Sequence, residues 1–158
     1  MTSTRAAATQ FLSHRRIAVT GVSRDPKGHG GNVVYQRLRE RGYEVFAVNP
    51  NAETVEGDPC YADLHAIPDG VEAVVIATRP DQAEATVREA ADLGITEVWM
   101  HRSIGAGSVS PAATRYGRQR GMTVIDGGCP LMYEPTADGA HKFMCKVFTL
   151  TGKVPRQV

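Results

Sequence analysis

No run in this sequence is long and apolar enough to suggest a membrane span. Stretches such as Val74-Val75-Ile76-Ala77 fall far short of the ~20 residues a spanning helix needs. An excess of one charge is missing too: 18 Lys and Arg stand against 17 Asp and Glu, a net charge of +1. A nucleic-acid module shows a basic excess over the whole domain or along one stripe. Here the basic residues are scattered, and aromatics, at 6%, are too few for a stacking platform. Nucleic acid is therefore not an expected partner, and any anionic ligand must be small and held locally. Cysteine is scarce. Cys60, Cys129 and Cys145 form an odd set without CxxC spacing, which argues against a disulfide framework or a zinc site. Met1–Gln10 carries no apolar signal-peptide core and one basic residue, Arg5. The expected location is the reducing cytoplasm.

What is present suits one domain. The chain has 158 residues, 42% of them hydrophobic, and a chain of that size buries about 70% of its unfolded surface. Five segments read as buried strands: Ile17–Thr20, Glu44–Val48, Ala73–Ala77, Glu97–Met100 and Thr123–Ile125. They are apolar at both parities, as parallel strands covered on both faces are. Between them lie helical stretches. Asn32 is placed to cap one carrying Val33, Val34 and Leu38, which Gly42 stops. Pro80 opens another with Ala83, Val87 and Ala90, closed by Gly94, and Ser110-Pro111 opens a third, closed by Gly121. Proline at the start and glycine past the end is the common helix asymmetry.

Asn49–Gly70 breaks this rhythm. A short edge strand near Cys60-Tyr61 and a short helix over Asp63–Ala66 are expected there. Thr9–His14 should end an N-terminal helix that packs Phe11 and Leu12 on the sheet. His141–Leu150, with Phe143, Val147 and Leu150 spaced by four and three, should form a closing helix. The alternation predicts an α/β fold. It is Rossmann-like and doubly wound, with a mainly parallel sheet of five to six strands in three αβα layers. Its core runs from about residue 11 to 130, with an extension over 131–158.

In such a sheet, ligands sit beyond the carboxyl ends of the strands at the switch point. The first loop there is Gly21-Val22-Ser23-Arg24-Asp25-Pro26-Lys27-Gly28-His29-Gly30-Gly31. Gly21 lets a ligand approach the backbone, and the following helix offers free N–H groups and a positive dipole end to a phosphate. Ser23 adds a hydroxyl, and Arg24 and Lys27 add charge. The loop is neither a Walker A sequence nor GxGxxG. The second strand ends in Val48-Asn49-Pro50-Asn51, with Glu53 the first acid. That disfavours NAD, whose ribose hydroxyls want an Asp or Glu there. NADP stays open, because Arg24 or Lys27 could meet its extra phosphate.

Several pieces then combine in order: Gly21-Val22-Ser23 with Pro26, and Gly42-Tyr43-Glu44-Val45-Phe46-Ala47-Val48-Asn49-Pro50. After them come Gly57, Cys60-Tyr61-Ala62-Asp63-Leu64, Ile67-Pro68, Arg79-Pro80, Gly94-Ile95-Thr96-Glu97-Val98-Trp99-Met100 and Cys129-Pro130. With these, the chain resembles the small stand-alone CoA-binding protein family. That Rossmann-like domain also forms the N-terminal part of succinyl-CoA synthetase α subunits. The resemblance implies coenzyme A or a short acyl-CoA as ligand. It implies that Gly21, Val22 and Ser23 touch the pyrophosphate and that Arg24 and Lys27 meet phosphates, including the 3′-phosphate. Asn49, Pro50 and Asn51 would border the nucleotide. Ala77, Thr78, Arg79 and Pro80 would line the far side of the crevice, with Gln82 in hydrogen-bonding reach. His101-Arg102-Ser103 stands where many relatives have Gln, and Asp126-Gly127-Gly128-Cys129 where many have Asp-Arg-Cys. The phosphohistidine domain of the synthetase is missing, so its activity is not carried over.

Other candidates follow from position. His101 and Arg102 end a strand on the ligand side and are expected to add ligand contacts. His29 reads as a hydrogen-bonded loop residue, and Asp126 as a cap or the partner of an arginine. Trp99 and the methionines read as core. Cys129 lies near the expected ligand edge, so a mixed disulfide with the CoA thiol is a hypothesis beside the commoner fate of a buried thiol. The expected protein binds CoA without catalysis of its own. The alternatives are an NAD(P)-dependent oxidoreductase, a nucleotide-binding regulatory domain, or a subunit of a larger ligase. A homodimer through the closing helix is a further expectation.

Overall fold

The computed structural model describes every residue except Gly28 and Ala106. Gly28 of the expected loop thus lies outside the described residues. Helix α1 (Thr4–Phe11) precedes strand β1 (Arg16–Thr20), followed by α2 (Gly30–Glu40), β2 (Glu44–Val48), β3 (Thr54–Val55) and β4 (Asp58–Tyr61). Strand β5 (Ala73–Ile76), α3 (Pro80–Asp92), β6 (Glu97–Met100), α4 (Pro111–Gln119) and β7 (Thr123–Asp126) come next. A 3-10 turn at Pro130–Met132 and α5 (Gly139–Leu150) end the chain.

The seven strands form one sheet in the order β3-β4-β2-β1-β5-β6-β7. All neighbours are parallel except β3 and β4, which form an antiparallel hairpin. The extra strand beyond the expected six is β3, two residues long. Sequence periodicity is blind to so short a piece. It also moves the edge: β4 lies inside it, between β2 and β3.

Alternate strand residues feed two cores. Ile17, Val19, Ala73, Val75, Trp99 and Ile125 share one with Phe11 of α1 and Tyr35 and Leu38 of α2. Met144, Cys145 and Phe148 of α5 pack against that same core. Ala18, Val74, Ile76, Val98, Met100 and Val124 share the other with Ala83 and Val87 of α3 and Ala113 of α4. This is the three-layer, Rossmann-like α/β arrangement. Trp99 is fully buried, donates to Gly127 O at 2.9 Å and meets Phe11 edge-on at 5.4 Å.

Two local expectations are corrected. Asp63–Ala66 is a set of turns, not a helix. Asp63 Oδ1 accepts from Ala66 N, and Glu89 of α3 accepts from Leu64 N and His65 N. Side chains satisfy these N–H groups, so no helical ladder is needed. The second correction concerns α5, whose outward stripe is the one expected to close the fold. Phe143 is 68% and Leu150 80% exposed, while Met144, Cys145 and Phe148 face the core.

Candidate functional site

Strand β1 is hydrogen-bonded to β2 on one side and to β5 on the other, with Thr20 level with both Val48 and Ile76. From β1 the chain first builds one half of the sheet, then crosses to build the other, so the switch point lies between β1 and β5. A cleft of about 600 Å³ opens there. Its walls are the start of α2 (His29, Gly30, Gly31 and Val33), the end of β5 (Ala77–Arg79) and the segment after β6.

Glycine makes this closeness workable. A Cβ on Gly21, which has φ +75°, would lie 2.5 Å from Ala77 O. One on Gly31 would lie 2.9 Å from Gly21 O, and one on Gly30 would lie 2.8 Å from the His101 ring. Helix α2 can therefore begin directly against the ends of β1, β5 and β6.

The caps divide the helices. Ser3, Ser110 and Asp138 accept hydrogen bonds from the first turns of α1, α4 and α5. Helices α2 and α3 start at His29 and Arg79 without a side-chain cap, and both starts border the cleft. Uncapped first-turn N–H groups carry partial positive charge and suit an anion. Thr78 Oγ1, at the end of β5, is buried without a hydrogen-bond partner among the described residues. An orphaned hydroxyl of this kind calls for a partner.

Asn32 is not the cap its position suggested. The helix starts two residues earlier, and Asn32 is buried in its first turn. Its Oδ1 accepts from Ser23 N at 2.8 Å, and its Nδ2 donates to Ser23 O at 2.8 Å and to Glu56 Oε1 at 2.7 Å. Asn32 thus clamps the loop after β1. The signal for this was a lone amide in the first turn behind a glycine pair. Asn49 is a second clamp, its Nδ2 donating to Val22 O at 2.9 Å while its Oδ1 accepts from Asn51 N at 2.9 Å.

Of the expected site residues, Ala77, Thr78, Arg79 and His101 line the cleft. Gly21 abuts Ala77 just beneath it. Val22 is buried, and Ser23 Oγ accepts from Asp25 N in a turn that leaves Arg24 and Lys27 exposed. Pro50, Asn51 and Gln82 lie outside the lining, as does Pro80, the first residue of α3. Arg102 stays outside it as well, its Nε buried without a partner among the described residues. Arg79 is exposed and pairs with Asp81 at 3.4 Å. Residues not anticipated are Val33 and Ile104, exposed apolar side chains at the cleft, with Ser103, Gly107 and Ser108.

His101 is buried, and desolvation pulls its pKa down to about 4, helped by nearby His141. It is neutral at pH 7, so it contributes a ring wall and no charge. His29 is exposed and makes no side-chain cap. Asp126 pairs with Arg118 at 3.2 Å. Cys129 is only 3% exposed, and burial pushes its thiol up to about 12. It packs in the core around Trp99 and Leu131. A mixed disulfide needs an accessible thiolate, so that expectation is overturned.

The fold and the site define a Rossmann-like α/β domain whose cleft lies at the switch point of a parallel sheet. Residues 15–135 match the family model described as CoA binding domain, and the chain belongs to that family. It is 34% identical over 89 residues to the acetate–CoA ligase (ADP-forming) II subunit alpha of Pyrococcus furiosus. That match covers 56% of this chain but only 19% of the ligase subunit. YneT of Bacillus subtilis is 26% identical over 111 residues, covering 70% of this chain and 78% of that protein. A solved structure of a hypothetical protein from Pyrococcus horikoshii superposes with a TM-score of 0.69 at 29% identity, covering 77% of this chain and 82% of that one.

Proposed function

We propose that this chain binds coenzyme A, or a short acyl-CoA, in the cleft between β1 and β5, and holds it without transforming it. One observation carries the reading: in a CoA binding domain, the two helices without side-chain caps are the two that start at the cleft. In this proposal the first-turn N–H groups of α2 and the backbone at Gly21, Val22 and Ser23 meet the pyrophosphate. The unpaired Thr78 hydroxyl donates to the ligand. Arg24, Lys27 and Arg79 supply charge, Lys27 to the 3′-phosphate. Asn49, Pro50 and Asn51 shape the nucleotide edge, Pro80 and Gln82 flank it, and His101 forms the far wall, with Arg102 following it in the chain. Val33 and Ile104 offer apolar surface to the adenine or the pantetheine arm. We take residues 1–158 as a single domain of the reducing cytoplasm.

Calorimetric titration and thermal shift with CoA, dephospho-CoA, NAD, NADP and ATP test this. A ligand at about 100 times its Kd should add about 2.7 kcal/mol. CoA is expected to give the largest shift and Ser23→Glu to abolish it with the fold intact. Lys27→Ala should weaken CoA more than dephospho-CoA, and equal losses would refute the Lys27 assignment. A shift with NADP and none with CoA would replace this reading by a dinucleotide one.

A further inference from the structure

A second cavity, of about 880 Å³, opens between α1, α5 and the C-terminal segment. Only Met132, Tyr133 and Glu134 of its lining fall within residues 15–135; the rest comes from the two ends of the chain. Those ends are tied together. Thr4 N donates to Arg156 O at 3.1 Å, Thr4 Oγ1 to Pro155 O at 2.6 Å and Val158 N to Thr2 O at 3.0 Å. The cavity is thus a feature built onto the CoA binding domain, and it shares no lining residue with the first cleft.

Its chemistry is two-sided. Met132, Tyr133, Leu150, Val154 and Pro155 supply apolar wall, and Leu150 is 80% exposed at the mouth. Arg5, Lys142, Lys146 and Arg156 supply cations. The one acid in the lining, Glu134, is paired with Lys142. Arg5, Lys146 and Arg156 form no ion pair among the described residues. The sequence enforces this bias: all 17 acidic residues lie from Asp25 to Asp138, so both chain ends are free of them. A chain of near-zero net charge therefore carries a local cationic field over an apolar hollow. Hollows of 300–1,000 Å³ are the usual size for small-molecule sites.

We propose that this cavity is a binding site for an amphiphilic carboxylate, a medium-chain fatty acid in type. The hydrocarbon tail lies along Met132, Tyr133, Leu150 and Val154. The carboxylate meets Arg5, Lys146 and Arg156, with charge-assisted hydrogen bonds of the kind arginine gives to carboxylates. The site stands apart from the CoA cleft and does not depend on it.

Decanoate, below its micelle concentration, is the probe. Cys145 lines the cavity and is half-buried, whereas Cys60 lies elsewhere. Saturating decanoate should slow alkylation of Cys145 by a maleimide about tenfold, read by peptide mass spectrometry, and leave Cys60 unchanged. Decanol should protect far less, and the doubly substituted Arg5→Glu, Lys146→Glu chain should lose the protection while keeping its thermal midpoint. Decyl phosphate protecting much better than decanoate would overturn the carboxylate assignment. Equal protection by decanol and decanoate would overturn the role of the cations. Loss of the decanoate effect on saturation with CoA would place the fatty acid in the first cleft and overturn the proposal. A dimer that shields Cys145 without ligand would overturn it as well.

Discussion

The two hollows of this molecule are built in opposite ways. The first is made of backbone: glycines, bare helix starts and a neutral, buried imidazole. The second is made of side chains, most of them from the two chain ends, that combine apolar and basic groups. Backbone sites need close approach, so they fail when a Cβ is added. Side-chain sites need charge and area, so they fail when a charge is reversed.

The largest break should come from Gly21→Ala. The new Cβ would meet Ala77 O at 2.5 Å, on a backbone with φ +75°. A left-handed residue costs about 1–2 kcal/mol before any clash, and a loss on the order of 3 kcal/mol is expected by urea denaturation. CoA binding should go with it, while decanoate protection of Cys145 is retained in whatever fraction folds.

His101 gives the next effect, as a function of pH. Its folded pKa of about 4 lies below the ordinary 6.5, so the unfolded chain binds more protons between those values. The stability it contributes is complete above pH 6.5 and is lost as pH falls towards 4. The loss is roughly 3 kcal/mol at most. His101→Gln should flatten this part of the stability curve. A curve identical to wild type would remove His101 as the cause.

Asn32→Ala should follow. It strips Ser23 of partners for both its N–H and its C=O, at about 1–3 kcal/mol. Hydrogen exchange should rise in the loop after β1 and CoA should weaken, with α5 unaffected. The smallest effect belongs to the other hollow. Asp138 caps α5 through His141 N, and its pKa is held down to about 2 by that N–H first, then by the His141 ring and Arg37. A depressed carboxylate stabilises above its unfolded pKa and loses the effect as it protonates. Helix α5 should therefore begin to fray as pH falls from about 4 to 2. Exchange rates of α5 amides in Asp138→Asn would show the frayed state at neutral pH.

Much of the fold could be read beforehand. Glu44–Val48 and Glu97–Met100 are delimited to the residue, because each is a short apolar run with polar punctuation. Pro80, Ser110 and Pro111 marked helix starts correctly, since proline and serine act locally at those positions. Asn32 was misplaced because an amide serves a cap and a loop clamp equally well; the partner decides. Val33 and Ile104 gave no signal, because an apolar residue is read as core until its surroundings are known.

By itself the sequence determined the layered α/β order and the glycine-bearing loop at the end of β1, products of local sterics and period, whereas the close approach of Ala77 O that bars a Cβ at position 21 is tertiary. Only the tertiary structure decided which side of α5 faces inward. That helix carries apolar residues on two sides, Phe143, Val147 and Leu150 on one and Met144, Cys145 and Phe148 on the other. Periodicity names both stripes, but only packing against the core of α1, Trp99 and the Pro130–Met132 turn selects one. The same packing brings the acid-free ends of the chain together, and no local rule relates residues so far apart in sequence.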